Sequence, residues 1–162
     1  MKVVKAPFFY SESPRPWVFL CGSIDMGAAE NWQQRVQREL AKYPGTILNP
    51  RRDEWDSSWV QSKDNPQFRE QVTWELAAQE ASNFILVYFD PKTKSPITLL
   101  ELGLFGRSTL GMTVCCADGY WRKGNVDLVC ERYGIHTVRS IEDMIIHLKN
   151  YLVESNECIP QK

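Results

Sequence analysis

Five short apolar segments, Trp17 to Cys21, Thr46 to Leu48, Phe84 to Phe89, Met112 to Cys116 and Ile135 to Val138, limit most strongly how this chain can fold. Most are nearly continuous in Val, Ile, Leu, Phe and Cys rather than alternating with polar residues. That is the pattern of strands covered on both faces, and therefore of a parallel sheet. Helix-period stretches lie between them. Ala28 to Tyr43 sets Trp32, Val36 and Leu40 at fourfold spacing; Pro66 to Ala81 begins with a proline suited to a first helical position after Asn65; Ile97 to Phe105 follows Ser95-Pro96; Ile141 to Leu152 is the last. The expected architecture is α/β, a five-stranded doubly wound parallel sheet of flavodoxin-like or Rossmann-like three-layer form. Ligands of such sheets sit outside the carboxyl ends of the strands, so the site is expected among the turns Gly22-Ser23-Ile24-Asp25, Asn49 to Asn65, Asp90 to Pro96 and Ala117 to Asn125.

A length of 162 residues with a 43% hydrophobic share suits one domain over 1–162, with 1–15 and 155–162 read as loosely ordered ends. The net charge of −1, with both signs scattered, lacks the basic footprint that a nucleic-acid polymer requires of its partner. No segment approaches the ~18 uninterrupted apolar residues of a membrane span, and no apolar run precedes Pro14 as a signal peptide would need. A soluble, unprocessed, cytoplasmic protein is expected. Its five cysteines, an odd count that includes the adjacent pair Cys115 and Cys116, suit free thiols in a reducing compartment. There is no C-x-x-C, and His136 and His147 stand far apart without carboxylates at ligand spacing, so both read as structural and no metal is expected.

Chemistry is suggested first by Ser95-Pro96-Ile97-Thr98-Leu99-Leu100-Glu101-Leu102-Gly103. Glu101 falls among leucines near a helix start at the ligand-bearing edge, where the helix dipole stabilises an anion and apolar neighbours limit its hydration. Thr98-x-x-Glu101 also matches a capping box, an ordinary structural use of the same residues. A second acid, Glu75, follows Phe68 and Val72 on what reads as the apolar stripe of its helix. An acid there needs a task or a partner, whether a buried Arg, reach to solvent, or assistance to a leaving group. Gly22 and Ser23 could receive a ligand but match no phosphate-loop fingerprint. In the long segment from Asn49 to Asn65, Trp55, Asp56 and Trp59 could form a substrate wall, or a tryptophan could simply pin the loop.

Together these residues resemble the nucleoside 2-deoxyribosyltransferase superfamily, which includes base-exchanging transferases and deoxynucleoside 5′-monophosphate N-glycosidases. The similarity runs from about Val18 to about Asp127 and is strongest at Glu101-Leu102-Gly103. It implies that Glu101 is the nucleophile and that Glu75 takes the place of the family's pocket Asp near the leaving base. Phe89-Asp90-Pro91 resembles the turn before the nucleophile helix. Ser95 stands where the transferases have a second pocket acid and matches a serine that the glycosidases use on phosphate. Gly22-Ser23-Ile24 resembles the glycosidases' opening turn, but Asp25 replaces their phosphate-binding Arg. Phe19 replaces a tyrosine that hydrogen-bonds the nucleophile, which removes that donor and leaves room on the 2′ side of the sugar. Asn125 matches an asparagine lent to a neighbouring subunit's site, which implies a homo-oligomer with shared sites. The implied activity is exchange of nucleobases on a (deoxy)ribose through a glycosyl ester on Glu101, with nucleosides and free nucleobases as partners and no cofactor. Monophosphate hydrolysis is the alternative, supported by Ser23 and Ser95 and opposed by Asp25 and Asn125. A nucleotide sensor without turnover is a third, which gives Glu101 and Glu75 no shared task.

Overall fold

The computed structural model describes residues 1–24, 31–54, 56, 58–108 and 110–157. All six strands, β1 (Lys2–Lys5), β2 (Trp17–Gly22), β3 (Thr46–Asn49), β4 (Phe84–Phe89), β5 (Gly111–Cys116) and β6 (His136–Val138), pair in parallel in the order β1-β3-β2-β4-β5-β6. Five helices accompany them among the described residues, the first four connecting successive strands from β2 onward and the last following β6: α1 (Trp32–Glu39), α2 (Pro66–Ala81), α3 (Pro96–Phe105), α4 (Lys123–Tyr133) and α5 (Ile141–Glu157). The architecture is the three-layer α/β form expected, with two corrections.

The sheet has six strands, not five. Lys-Val-Val-Lys lies inside the stretch read as a loose end, yet it pairs with β3 from Lys2↔Thr46 to Lys5↔Asn49. Two apolar residues are too little signal for a strand, whereas lysines at both ends are what keeps an edge strand from recruiting further chains. The second correction is α4, which begins inside the stretch read as a turn up to Asn125. It buries only Val126 and Cys130 on a short stripe, and its capping residue Arg122 makes no side-chain cap bond, so neither start signal nor periodicity announced it.

Alternation along β2 divides the core. Trp17, Phe19 and Cys21 face the layer holding Trp74 and Ala78 of α2, Leu102 of α3 and Val126 of α4, while Val18 and Leu20 face Trp32 and Val36 of α1 and Met144 and Leu148 of α5. The winding direction reverses between β2 and β4, and the crevice at their carboxyl ends is where such sheets take ligands. Gly22 ends β2 because a Cβ there would stand 2.6 Å from the Tyr88 carbonyl oxygen of β4. Among the described residues, no helix is long and apolar enough to cross a membrane.

Candidate functional site

Three elements bring Glu101 to this crevice. It is the sixth residue of α3 and is 9% exposed, with its carboxylate turned into the molecule. Cys21, at the end of β2, points its thiol at Glu101 Oε2 (3.0 Å), and Gln79 of α2 donates from Nε2 to Glu101 Oε1 (2.7 Å). Burial raises the Glu101 carboxyl above its usual value, and these two hydrogen bonds act against the rise. The helix start contributes little here, since the terminal field fades within the first turn. The capping-box reading also falls: the cap is Ser95, and Thr98 lies inside the helix.

Glu75 is half-buried on α2 and accepts from Gln71 Nε2 (2.8 Å), which also donates to the Pro50 carbonyl (2.8 Å). Burial pushes its carboxyl up to about 7, the Gln71 hydrogen bond holds it down in part, and the nearby Glu101 raises it further. The core-facing stripe of α2 is Gln71, Trp74, Ala78 and Gln79 rather than Phe68 and Val72, which are half-buried at its margin. Glu75 lies beside that stripe, and among the described residues its side-chain partner is a glutamine, not an arginine. Burial and the adjacent carboxylate also push the Cys21 thiol well above its usual value, so the sulfur remains a donor.

A triangle of hydroxyls closes the same crevice. Ser23 Oγ lies 2.6 Å from Ser95 Oγ and 2.8 Å from Thr93 Oγ1, and these two are 2.7 Å apart. Asp90 N–H donates to Ser23 Oγ (3.0 Å), and Thr93 Oγ1 donates to the Asp90 carbonyl (3.2 Å). Ser95 holds a left-handed conformation (φ 44°), which costs about 1–3 kcal/mol for a residue with a Cβ. The hydroxyl contacts retain it there instead of making a side-chain cap bond. Tyr120 Oη and Trp121 Nε1 both donate to the Lys94 carbonyl (2.7 and 3.0 Å) and fix the turn from outside.

The remaining sequence candidates separate. Phe19 is fully buried, its ring tilted against Trp74 at 6.4 Å, so the donors that reach Glu101 come from Cys21 and Gln79 instead. Asp56 is exposed and accepts from the Ser58 amide (2.8 Å), a local turn contact that lowers its carboxyl. Asp25 and Trp55 lie outside the described residues. Asn125 is exposed in the first turn of α4, where it lines a groove of about 330 Å³ with Leu99, Leu102, Gly103 and Arg122; neither Glu101 nor Glu75 lines that groove. Among the described residues, no three His, Cys, Asp or Glu side chains gather as a metal site would require.

Cys21, Gln71, Gln79 and Thr93 did not emerge as site residues from the sequence. One signal existed: Gln71, Glu75 and Gln79 recur every four residues, a polar line on one helix face. The contribution of Cys21 depends on which strand lies beside α3, and local pattern does not carry that.

Comparison with known proteins follows the same outline. A family model described as nucleoside 2-deoxyribosyltransferase like matches residues 15–120. Among solved structures, a conserved protein from Enterococcus faecalis V583 superposes with a TM-score of 0.58 at 13% identity, over 84% of this chain and 98% of that one, a likeness of fold alone. No curated protein sequence matches the chain.

Proposed function

We propose that this chain, which belongs to the nucleoside 2-deoxyribosyltransferase-like family, transfers a (deoxy)ribosyl group between nucleobases through a glycosyl ester on Glu101. The observation that carries this reading is a pair of carboxyls in electrostatic reach at the switch point of the sheet, Glu101 held by two donors and Glu75 pushed up to about 7. Two acids with unlike environments suit the two halves of glycosyl transfer. Glu101 attacks the anomeric carbon from the face opposite the base, forming the carbon–oxygen bond as the carbon–nitrogen bond breaks. Glu75 gives its proton to the departing base. An incoming base then displaces Glu101, returns a proton to Glu75, and leaves the configuration retained after two inversions.

Hydrolysis of nucleoside monophosphates is the second reading, and the hydroxyls of Ser23, Thr93 and Ser95 are what favours it. Each of their three protons already has an acceptor within the cluster, so an entering phosphate would have to break those contacts. We therefore place free nucleosides ahead of their 5′-monophosphates as substrates, in a cytoplasmic homo-oligomer that uses no cofactor.

Intact-mass measurement after incubation with a slow 2′-fluoro nucleoside tests the nucleophile. Wild type should gain the mass of one sugar, and folded Glu101→Ala should gain none, because the substitution deletes the covalent path. An adduct on the variant refutes the assignment. Adding a free base should discharge the wild-type ester to a new nucleoside, whereas discharge to free sugar alone would favour the hydrolase.

A further inference from the structure

Among the described residues, the buried amide oxygens Oε1 of Gln71 and Oε1 of Gln79, like that of Gln33, have no hydrogen-bond partner. An unmet buried acceptor is costly, so a glutamine held in that orientation calls for a reason. Both amides commit their nitrogen in the same way. Gln79 Nε2 donates to Glu101 Oε1 (2.7 Å) and lies 3.3 Å from the Glu75 carbonyl; Gln71 Nε2 donates to Glu75 Oε1 and to the Pro50 carbonyl, both at 2.8 Å. Turning Gln79 over would set its oxygen against the Glu75 carbonyl and the Glu101 carboxylate at once, and turning Gln71 over would set its oxygen against the Pro50 carbonyl. Each is therefore pinned with its N–H face on an acid, and the fourfold spacing of Gln71, Glu75 and Gln79 lets one face of α2 deliver both.

The donors are divided unequally. Glu101 accepts from Gln79 and from the Cys21 thiol, whereas among the described residues the Glu75 carboxyl accepts from Gln71 only. We propose that Gln79 and Cys21 are positioning residues for the nucleophile and Gln71 for the acid, and that this two-to-one division decides which carboxyl carries the charge and which the proton. The inference rests on the glycosyl-ester reading of Glu101. Hydrogen bonds to a carboxylate favour its ionised form, and an ionised Glu101 in turn keeps the proton on Glu75. The titratable groups that meet here are Cys21 from β2, Glu75 from α2 and Glu101 from α3, and Glu101 raises both of the others. The unmet oxygens are what it costs to keep both nitrogens on the acids.

The test follows the rate of glycosyl-ester formation against pH for wild type, Cys21→Ser, Gln79→Met and Gln71→Met, alongside carboxyl ¹³C titration of glutamate-labelled protein. A hydroxyl donates more strongly than a thiol, so Cys21→Ser should move the acid limb down. Gln79→Met removes a donor at similar length; it should move the acid limb up by about one pH unit and slow ester formation on the order of ten- to a hundredfold, with substrate affinity little changed. Gln71→Met should move the basic limb up. Limbs and carboxyl titrations that stay in place in the folded variants overturn the proposal. Should Gln79→Met fail to fold, the direction of the Cys21→Ser shift decides: downward supports the proposal, unmoved or upward overturns it. Absence of any adduct on wild type would remove the glycosyl-ester reading instead, and the ¹³C titration would still judge the division of donors.

Discussion

At the scale of single residues, the burial of Glu75 ties the proposed chemistry to a loss of stability. Its carboxyl, pushed up to about 7 chiefly by burial, meets what the proposed proton transfer to a departing base requires near neutral pH. Glu75→Gln keeps the shape but has no proton to give. Cleavage should slow on the order of a hundredfold for poor leaving bases and much less for good ones; uniform loss across leaving groups would make Glu75 structural. The same shift has a signed effect on folding. A carboxyl whose folded value exceeds its unfolded value of 4.5 contributes stability that is complete below pH 4.5 and lost as pH rises through about 7. Glu75→Gln should therefore gain on wild type between pH 6 and pH 8, with a melting temperature higher by about 2–4 °C for roughly each kcal/mol relieved. Thermal melts at the two pH values would show it, and an unchanged difference would mean that Glu75 is better solvated than its neighbours suggest.

At the scale of elements, α5 docks through a pair of histidines. His147 of α5 stacks on His136 of β6 with ring centroids 3.8 Å apart, and its Nδ1 lies 2.7 Å from Thr113 Oγ1 of β5. Burial lowers its pKa, the neighbouring His136 lowers it further, and Glu154 acts in the opposite sense. Phe84 of β4 covers the ring at 6.2 Å. With the folded value below the ordinary 6.5, the unfolded chain takes up the proton first as pH falls, so the helix loses stability from about pH 6.5 downward. Between pH 7.5 and 5.5 the melting temperature of wild type should fall more steeply than that of His147→Gln. Equal slopes would show that the stacked pair does not sense acid.

At the scale of the whole molecule, α3 and α4 present an apolar surface that the described residues leave uncovered. Ile97, Leu100 and Leu104 of α3 and Leu128 of α4 are all more than half exposed. A Cβ at Gly103 or Gly124 would meet nothing within 4 Å, so neither glycine is required by packing within the subunit, although glycine inside a helix costs about 1 kcal/mol relative to alanine. Asn125 lines the groove between these helices, whose lining does not include Glu101. These features fit the homo-oligomer with shared sites proposed above, and subunit exchange tests it. Glu101→Ala and Asn125→Ala chains, each inactive alone, should recover about a quarter of wild-type activity when mixed as dimers, since half the dimers are mixed and each has one intact site. No recovery despite demonstrated exchange would place Asn125 outside any shared site.

What local pattern determined by itself was the layered fold and the address of the candidate site. Continuous apolar runs require strands buried on both faces, and Pro66 and Pro96 after polar residues mark helix starts, because both signals act within a few residues. Hence β2 to β5 and helices α1, α2, α3 and α5 were legible, as was the position of Glu101 near the carboxyl edge of the sheet, whereas β6 proved to be a largely exposed edge strand. The edge strand Lys2–Lys5 was not, since pairing with β3 comes from elsewhere in the chain and its two valines carry little signal. The helix at Lys123–Tyr133 was likewise hidden, because it has no side-chain N-cap bond and buries only Val126 and Cys130. Only tertiary structure decided what surrounds the two acids. Cys21 lies 80 residues from Glu101 in sequence, Gln79 lies 22 away, and the triangle of Ser23, Thr93 and Ser95 spans 72. A hydrogen bond depends on distance in space, and these distances exist only once β2, α2 and α3 have packed against one another.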